Sequence, residues 1–223
     1  MIIQTGMRTD IPAFYSTWLM NRIKEGYVDV RNPYNPDSVT RYRLNPEVVD
    51  VLAFCTKNPT PMLKYVDELK AYHQYWQVTI TPYGKDIEPY VENKREVIES
   101  FKVLATKVGI NCIAWRYDPI LINERYTLEK HISYFEQMCG MLEGYTTVCI
   151  ISFIDLYKKV QRNFPEIREV TKQEQHLLAQ AFVKIAKKYG MQLKTCAEGK
   201  HLAMYGIDVS GCITKEVYEK ALG

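Results

Sequence analysis

The sequence predicts an α/β protein built on a mainly parallel sheet, either a partial TIM-like (β/α)6 barrel or an open parallel sheet. Three observations predict it: six short apolar runs typical of buried strands, a helical pattern after each run, and a length of 223 residues. That length favours one domain, residues 1–223. A doubly wound sheet is a further possibility, and in all of these folds the loops after the strands gather at one edge.

Six apolar segments predict the strands, because they are continuous runs rather than strict alternations of apolar and polar residues. The predicted strands are residues 1–7, 49–55, 75–81, 110–116, 147–153 and 191–197. In the fourth segment, Pro119 follows Arg116, Tyr117 and Asp118. Because proline has no amide hydrogen for the sheet, we expect this strand to end before Pro119.

Capping residues and apolar spacing predict the helices. Pro12 suits the start of the first helix, which is expected to extend to Glu25 and Gly26. Thr127 is the expected N-cap of a later helix, and Thr171 with Glu174 forms a capping box. The remaining predicted helices are residues 59–72, 93–109 and 214–222. Residues 26–44 interrupt this pattern with two short strands around a turn-rich segment, which predicts an inserted β-hairpin.

Composition excludes a membrane-spanning chain and limits the expected cofactors. The apolar runs are much shorter than the roughly 20 residues that cross a bilayer, and the N-terminus has no secretion signal, so we expect a cytoplasmic protein. The six cysteines lack CxxC or CxxxC spacing and the four histidines are far apart, so no metal ligands are expected. A net charge of +3 neither requires nor excludes a nucleic acid.

Polar and ionisable residues follow every predicted strand. Because the carboxyl ends of parallel strands meet at one edge, we expect these groups to converge in a polar pocket. We assign acid–base roles to the carboxylates Asp10, Asp118, Asp155 and Glu198. We assign ligand contacts to Arg8, Lys57, Asn58, Tyr83, Arg116 and Cys196.

Taken one at a time, these residues are better explained by structural roles. Arg8 with Asp10, and Arg116 with Asp118, are spaced i,i+2 and would form salt bridges on one face of an extended chain. Taken together, ionisable groups at one end of six strands favour a functional site. No histidine is placed to activate Cys196 as a nucleophile, so a simple strand-end thiol is the preferred interpretation.

Six motifs of the sequence resemble, in their order and spacing, those of a known family. They are RTDIPAFYSTWLMNRIKEGYVDVRNPYNP, FCTKNPTPML, YGKDIEP, WRYDPILI, ISFIDLYKK and KKYGMQLKTCAE. In order and spacing they resemble the bacterial and archaeal family called domain of unknown function 1848, from the first residue to about Cys212. One departure is Cys55, where the family usually has tryptophan. Some members of that family carry labels related to DNA repair photolyases.

The resemblance implies a partial barrel like that of radical S-adenosylmethionine enzymes. Family members usually continue into a C-terminal segment whose clustered cysteines resemble iron–sulfur ligands. This sequence ends at Gly223 without such a cluster, so no cofactor is demonstrable within it. A 4Fe-4S cluster and S-adenosylmethionine are expected only if a C-terminal cysteine segment exists.

Three functions are compatible with the sequence. The first is an enzyme that binds a small polar or anionic ligand at the strand ends, and we rank it first. The second is a nucleic-acid-binding protein related to DNA repair, suggested by Arg31, Arg41 and Arg43 in the hairpin. The third is a non-catalytic interaction module that uses the hairpin as a docking edge. The oligomeric state is not predicted.

Overall fold

The computed structural model describes residues 1–222, so Gly223 of the predicted domain lies outside the described residues. The strands are β1 (Ile2–Gln4), β2 (Tyr27–Arg31), β3 (Val39–Arg43), β4 (Val51–Thr56), β5 (His73–Thr79), β6 (Ile113–Ile120), β7 (Val148–Phe153) and β8 (Gln192–Thr195). The α-helices are α1 (Ile11–Phe14), α2 (Ser16–Glu25), α3 (Lys94–Val108), α4 (Leu128–Leu142), α5 (Lys158–Asn163), α6 (Lys172–Lys188) and α7 (Lys215–Leu222).

The main sheet has six parallel strands in the order β1-β4-β5-β6-β7-β8, which follows the order of the chain. β1 and β8 form its two edges, so the sheet is open. β2 and β3 form a separate antiparallel hairpin. These features confirm the predicted α/β class, the open parallel sheet and the inserted hairpin.

The long helices pack together on one face of the sheet. Trp115 of β6 stacks on Phe135 of α4 at 5.2 Å between ring centroids, and Phe135 stacks on Phe182 of α6 at 3.9 Å. Helices α2 and α3 contribute to the same core. A doubly wound sheet reverses its strand order part of the way across, whereas these strands follow the order of the chain, which corrects the doubly wound alternative.

The other face of the sheet packs against α7, and we call it the α7 face. Val217, Tyr218 and Ala221 of α7 are buried there against residues of β4 and β5, including Ala53 and Tyr75. The ring of Tyr218 meets that of Tyr75 edge to face, with centroids 6.0 Å apart. The α7 face is therefore apolar where α7 covers it.

The fourth predicted strand is longer than expected. β6 continues through Pro119 to Ile120, contrary to the prediction that the strand ends before the proline. The pairing with β7 shifts register between Tyr117 and Ile120, and the peptide between Asp118 and Pro119 is cis. An irregularity of this kind accommodates proline, because the ladder hydrogen bond that proline cannot form is not required there.

Two predicted helices also differ from the structure. Residues 59–72 form the 3-10 turns Thr60–Met62 and Val66–Leu69 rather than an α-helix. Prolines at positions 59 and 61 remove amide donors, while the turns still bury Met62, Val66 and Leu69. The first helix is interrupted at Tyr15, and the short helix α5 was not predicted.

The predicted caps are present. The Thr171 side chain accepts from the backbone N–H of Glu174, and the Glu174 carboxylate accepts from the backbone N–H of Thr171, which completes the capping box of α6. Thr127 caps α4 in the same way, accepting from the N–H of Lys130. Within residues 1–222, no helix combines the length and apolar character that crossing a bilayer requires.

Candidate functional site

A group of polar side chains meets on the α7 face near the carboxyl ends of the strands. β6 places Arg116 and Asp118 there, because Ala114, two residues earlier, is buried on that face. Ile150 of β7 is also buried there, so Ser152 points the same way. We call this group the Arg116 cluster, and it consists of Gln77, Arg116, Asp118, Ser152, Cys196 and Cys212.

Arg116 is held on several sides. Its Nε donates to Asp118 Oδ2 at 2.8 Å, and its Nη2 donates to the same oxygen. Its Nη1 donates to Gln77 Oε1 at 2.8 Å, and the hydroxyl of Ser152 donates to Asp118 Oδ1. Burial opposes the charge of Arg116, but the Asp118 carboxylate and the neighbouring thiols keep its pKa above the ordinary value. The cluster therefore holds a charged guanidinium, paired with one carboxylate, in a defined orientation.

Two thiols complete the cluster. Cys212 Sγ and Cys196 Sγ are 2.9 Å apart, and Cys212 Sγ lies 3.9 Å from Arg116 Nη1. The hydrogen bond with Cys196 and the charge of Arg116 lower the pKa of Cys212. The same hydrogen bond and burial raise the pKa of Cys196. The pair therefore loses its first proton more easily than an ordinary thiol and holds the second more tightly.

Glu198 lies near this cluster. Its Oε1 accepts from the backbone N–H of Phe153 at 2.7 Å. Burial and the nearby Asp155 and Asp118 carboxylates raise the pKa of Glu198. Ala197, between Cys196 and Glu198, has a φ of 60°, an uncommon conformation for a residue with a Cβ. This turn orients a carboxyl group whose raised pKa suits proton transfer.

A second charged group lies beside the carboxyl ends of β4 and β5. The Glu88 carboxylate accepts from Lys57 Nζ, Lys94 Nζ and the hydroxyl of Thr81. Burial raises the pKa of Glu88, but the two ammonium groups outweigh burial and keep it below the ordinary value. Lys57 therefore forms an ion pair with Glu88, and its side chain stays partly exposed.

Two predicted site residues, Asp10 and Asn58, accept hydrogen bonds from backbone N–H groups. Asp10 Oδ1 accepts from the N–H of Ala13, so it caps α1, and Oδ2 accepts from the N–H of Lys57. Asn58 Oδ1 accepts from the N–H of Thr60. These contacts tie the loops after β1 and β4 together, and a role in ligand binding or catalysis stays a prediction for Asp10 and Asn58.

Arg8 and Tyr83 make contacts outside the Arg116 cluster. Arg8 Nη1 donates to the carbonyl of Arg31 in the hairpin at 3.0 Å, not to Asp10 as the i,i+2 spacing suggested. Tyr83 is buried, and its hydroxyl donates to the carbonyl of Pro119 at 2.7 Å and accepts from the N–H of Leu121 at 2.9 Å. The structure thus groups Arg116, Asp118, Asp155, Cys196 and Glu198, whereas Arg8 and Tyr83 contact other parts of the chain.

Sequence reasoning assigned no role to three members of the cluster. Gln77 is a polar residue within the apolar run YWQVTIT, which was a usable signal of a polar partner on the sheet. Ser152 lies near the end of the predicted strand 147–153 and has no assigned role in the sequence analysis. Cys212 gave no signal, because its contact with Cys196 spans 16 residues of loop and turn.

Cavities of substantial size lie elsewhere. One of about 580 Å³ is at the amino ends of the strands, lined in part by Asn111, Thr147 and Gln192. Another of about 500 Å³ lies between the hairpin and the end of β1, where Arg8 contributes to its wall. We place the candidate site by the convergence of charged side chains and not by cavity size, because the chemistry gathers at the carboxyl edge.

The thiols that could hold an iron–sulfur cluster are spread over the described residues. Over residues 1–222, no group of three or more His, Cys, Asp or Glu side chains is placed to hold a metal ion. Cys196 and Cys212 contact each other as a pair, whereas a site-differentiated iron–sulfur cluster is usually held by three thiolates. These residues do not fit such a cluster.

Fold and site together define an α/β protein with an open parallel sheet, its long helices on one face, and α7 with an arginine-centred polar cluster on the other face. Residues 2–223 match the family described as Domain of unknown function (DUF1848), and the chain belongs to that family. The match confirms the resemblance carried by the six motifs. No curated protein and no solved structure matches the chain.

Proposed function

We propose that the chain is enzyme-like and binds a small polar or anionic ligand at the carboxyl ends of its strands, with Arg116 as the anchor. The observation that carries this proposal is the orientation of Arg116 by Asp118 and Gln77 on the α7 face. Burying a charge is costly unless it is paired, and the guanidinium contacts Gln77 and Cys212 in addition to Asp118, which is more than pairing requires.

Arg116 would bind the ligand through the hydrogen of Nη2 that has no protein acceptor among the described residues. A guanidinium suits carboxylate or phosphate oxygens because its planar array of donors matches their geometry. Asp118 accepts from both Arg116 and Ser152, so it orients these two side chains. Ligand contacts by Lys57 and Cys196 belong to the same proposal.

Glu198 would move a proton to or from the bound ligand. Its raised pKa keeps it protonated at a higher pH than an ordinary carboxyl, and Asp155 and Asp118 are the charges that raise it together with burial. Asp155 is exposed, so it would tune Glu198 from the solvent side.

The family resemblance adds the proposal that a 4Fe-4S cluster and S-adenosylmethionine act with this sheet. Such a cluster would need ligands that residues 1–222 do not supply, so no step of the proposed function is assigned to either group. A cytoplasmic location is also part of the proposal, since thiols stay reduced in that compartment.

Arg116→Lys tests the anchor, because lysine keeps the positive charge and loses the planar array of donors. We would screen inorganic phosphate, citrate, adenosine monophosphate and S-adenosylmethionine by thermal shift, then measure Kd by calorimetry for each compound that stabilises the protein. We expect the variant to weaken binding by about 10-fold or more, the effect of losing a charge-assisted hydrogen bond worth about 1.5–3 kcal/mol.

Arg41→Lys is the matched control, since Arg41 pairs with Asp29 through two nitrogens in the hairpin. Binding unchanged in Arg116→Lys would contradict the proposal, provided that the circular dichroism spectrum of the variant matches that of the wild type. Failure of all four compounds to bind the wild type would also count against it.

The contacts of Arg41 also bear on the nucleic-acid hypothesis, which depends on the basic residues of the hairpin. Arg41 is already held by Asp29, and its guanidinium lies 3.9 Å from the centre of the Tyr27 ring, so it is less available to phosphates. A gel-shift titration at low salt tests the hypothesis, and retardation that weakens steeply with added salt would favour it over the small-ligand proposal. A dimer that dissociates when the hairpin is removed would support the interaction-module hypothesis.

A further inference from the structure

We propose that Cys196 and Cys212 form a redox-active dithiol that a peroxide or a small disulfide converts into an intrachain disulfide. The two sulfur atoms are 2.9 Å apart and lie beside Arg116 on the α7 face. This inference concerns electron transfer by the chain itself, and it stands whether or not Arg116 binds a ligand.

The backbone holds the two sulfurs in contact. The N–H of Cys196 donates to the carbonyl of Ile151 at 3.0 Å, which continues the pairing of β8 with β7 beyond the end of the strand. The carbonyl of Cys212 accepts from Gln77 Nε2 at 2.9 Å, which anchors the loop before α7 to β5. Since a disulfide bond is about 2.05 Å long, closing the remaining gap requires only a small movement of either side chain.

The surroundings favour a thiolate in this pair over the other cysteines. Arg116 Nη1 lies 3.9 Å from Cys212 Sγ, and its charge lowers the pKa of Cys212 together with the hydrogen bond from Cys196. Asp118 opposes this effect more weakly. Burial raises the pKa of the other four thiols: Cys55, Cys112, Cys139 and Cys149.

The exposure of the two cysteines determines which sulfur reacts first with the oxidant. Cys196 is partly exposed, whereas Cys212 is buried, so the sulfur of Cys196 meets the oxidant. Its proton passes to the Cys212 thiolate across their hydrogen bond, and the Cys196 thiolate attacks a peroxide oxygen, forming a sulfenic acid and releasing hydroxide. The Cys212 thiol then attacks the Cys196 sulfur and displaces water. Two electrons leave the two sulfurs and reduce one hydrogen peroxide molecule. With oxidised glutathione, the Cys196 thiolate forms a mixed disulfide and releases one glutathione thiolate, and the Cys212 thiol then attacks Cys196 and releases the second glutathione as a thiol.

Tryptic mapping tests the proposal directly, because lysines separate the two cysteines. Residues 195–200 and 201–215 are tryptic peptides with one cysteine each. The full chain is treated with hydrogen peroxide or with oxidised glutathione, blocked with N-ethylmaleimide and digested. We expect a linked species of these two peptides, with a mass lower than their sum by two hydrogen atoms. Reduced glutathione should reverse the link.

Variants separate this pair from general thiol oxidation. Cys112→Ser removes another partly exposed thiol and should leave the linked species unchanged, whereas Cys212→Ser should abolish it and leave Cys196 as a sulfenic acid or a glutathione adduct. At neutral pH, iodoacetamide should label the Cys196–Cys212 pair at least about tenfold faster than Cys112, because the pair loses its first proton more easily than Cys112 does.

Three results would overturn the proposal: oxidation that leaves the two peptides unlinked, a link that reduced glutathione cannot reverse, and labelling no faster than at Cys112. None of these results bears on binding of phosphate or the other compounds at Arg116, so the two proposals fail separately.

Discussion

At the scale of single residues, Arg116 shows how a buried strand accommodates charge. Its partner at i+2, Asp118, lies on the same face of β6, so the sequence spacing alone predicted this ion pair. Its cross-strand partner, Gln77, depends on the register of β5 against β6. Asp118 and Gln77 together accept from all three nitrogens of the guanidinium, because Asp118 binds Nε and Nη2 and Gln77 binds Nη1.

Glu198→Gln should preserve or raise stability at neutral pH. Burial together with the Asp155 and Asp118 carboxylates raises the pKa of Glu198 in the folded chain, so its contribution to stability is fully present below the ordinary carboxyl pKa and is lost as the pH rises through the raised value. Glutamine retains an acceptor for the N–H of Phe153 and carries no charge.

We expect Glu198→Gln to be more stable than the wild type by up to about 1 kcal/mol in urea unfolding at pH 8, with the difference shrinking or reversing toward pH 4. Glu124→Gln, at an exposed position, is the control and should show no such trend. A variant less stable than the wild type at pH 8 would contradict this account of Glu198. Such a gain in stability on removing a charged group is common at functional sites.

At the scale of elements, local signals predicted most helix starts and failed where tertiary packing competes with them. The caps at Thr127 and Thr171 are contacts between residues three apart, so the sequence reveals them. Residues 59–72 have helical apolar spacing, but 3-10 turns bury the same side chains. The short helix α5 has only six residues and too little periodicity to be recognised.

Glu174→Gln should destabilise the protein in a pH-dependent way. The bond from Arg168 and the capping contacts with Thr171 lower the pKa of Glu174 to about 2, so its stabilising effect is present above the ordinary value of 4.5 and is lost as the pH falls through about 2. We expect the variant to lower the free energy of unfolding by only about 1 kcal/mol at pH 7, because Arg168 is largely exposed and its ion pair with Glu174 is screened by solvent.

Urea unfolding at pH 7 and pH 3 measures that effect, and the difference between the wild type and Glu174→Gln should narrow at the lower pH. Glu169→Gln is the control, because Glu169 is exposed and its carbonyl, rather than its carboxylate, contacts Arg168. Equal costs for the two substitutions at pH 7 would show that the charge of Glu174 contributes little to stability, since glutamine can still accept from the N–H of Thr171.

At the scale of the whole molecule, the two faces of the sheet have different roles. The helix face carries the large aromatic core, and the α7 face carries both the apolar contact with α7 and the Arg116 cluster. Cys212 lies in the loop just before α7, so the packing of α7 and the position of one thiol of the cluster are linked.

Tyr218→Ala tests how firmly α7 covers its face. Tyr218 is 8% exposed and packs edge to face on Tyr75. We expect the substitution to lower the free energy of unfolding by about 2–4 kcal/mol, close to the usual effect of truncating a buried aromatic side chain to alanine. Urea unfolding measures it, with Tyr34→Ala, at a position 96% exposed, as the control. Costs that agree within about 0.5 kcal/mol would mean that α7 contributes little to the fold.

The sequence by itself determined the six strands of the parallel sheet, the hairpin, the main helix caps and the polar residues after each strand. These features depend on residue type, spacing and local hydrogen bonds, which are all properties of short segments. Only the tertiary structure decided that the long helices share one face while α7 covers the other, that Gln77 contacts Arg116, and that Cys212 contacts Cys196. The physical reason is that strand register and loop paths bring together residues far apart in the chain, and no short segment encodes these contacts.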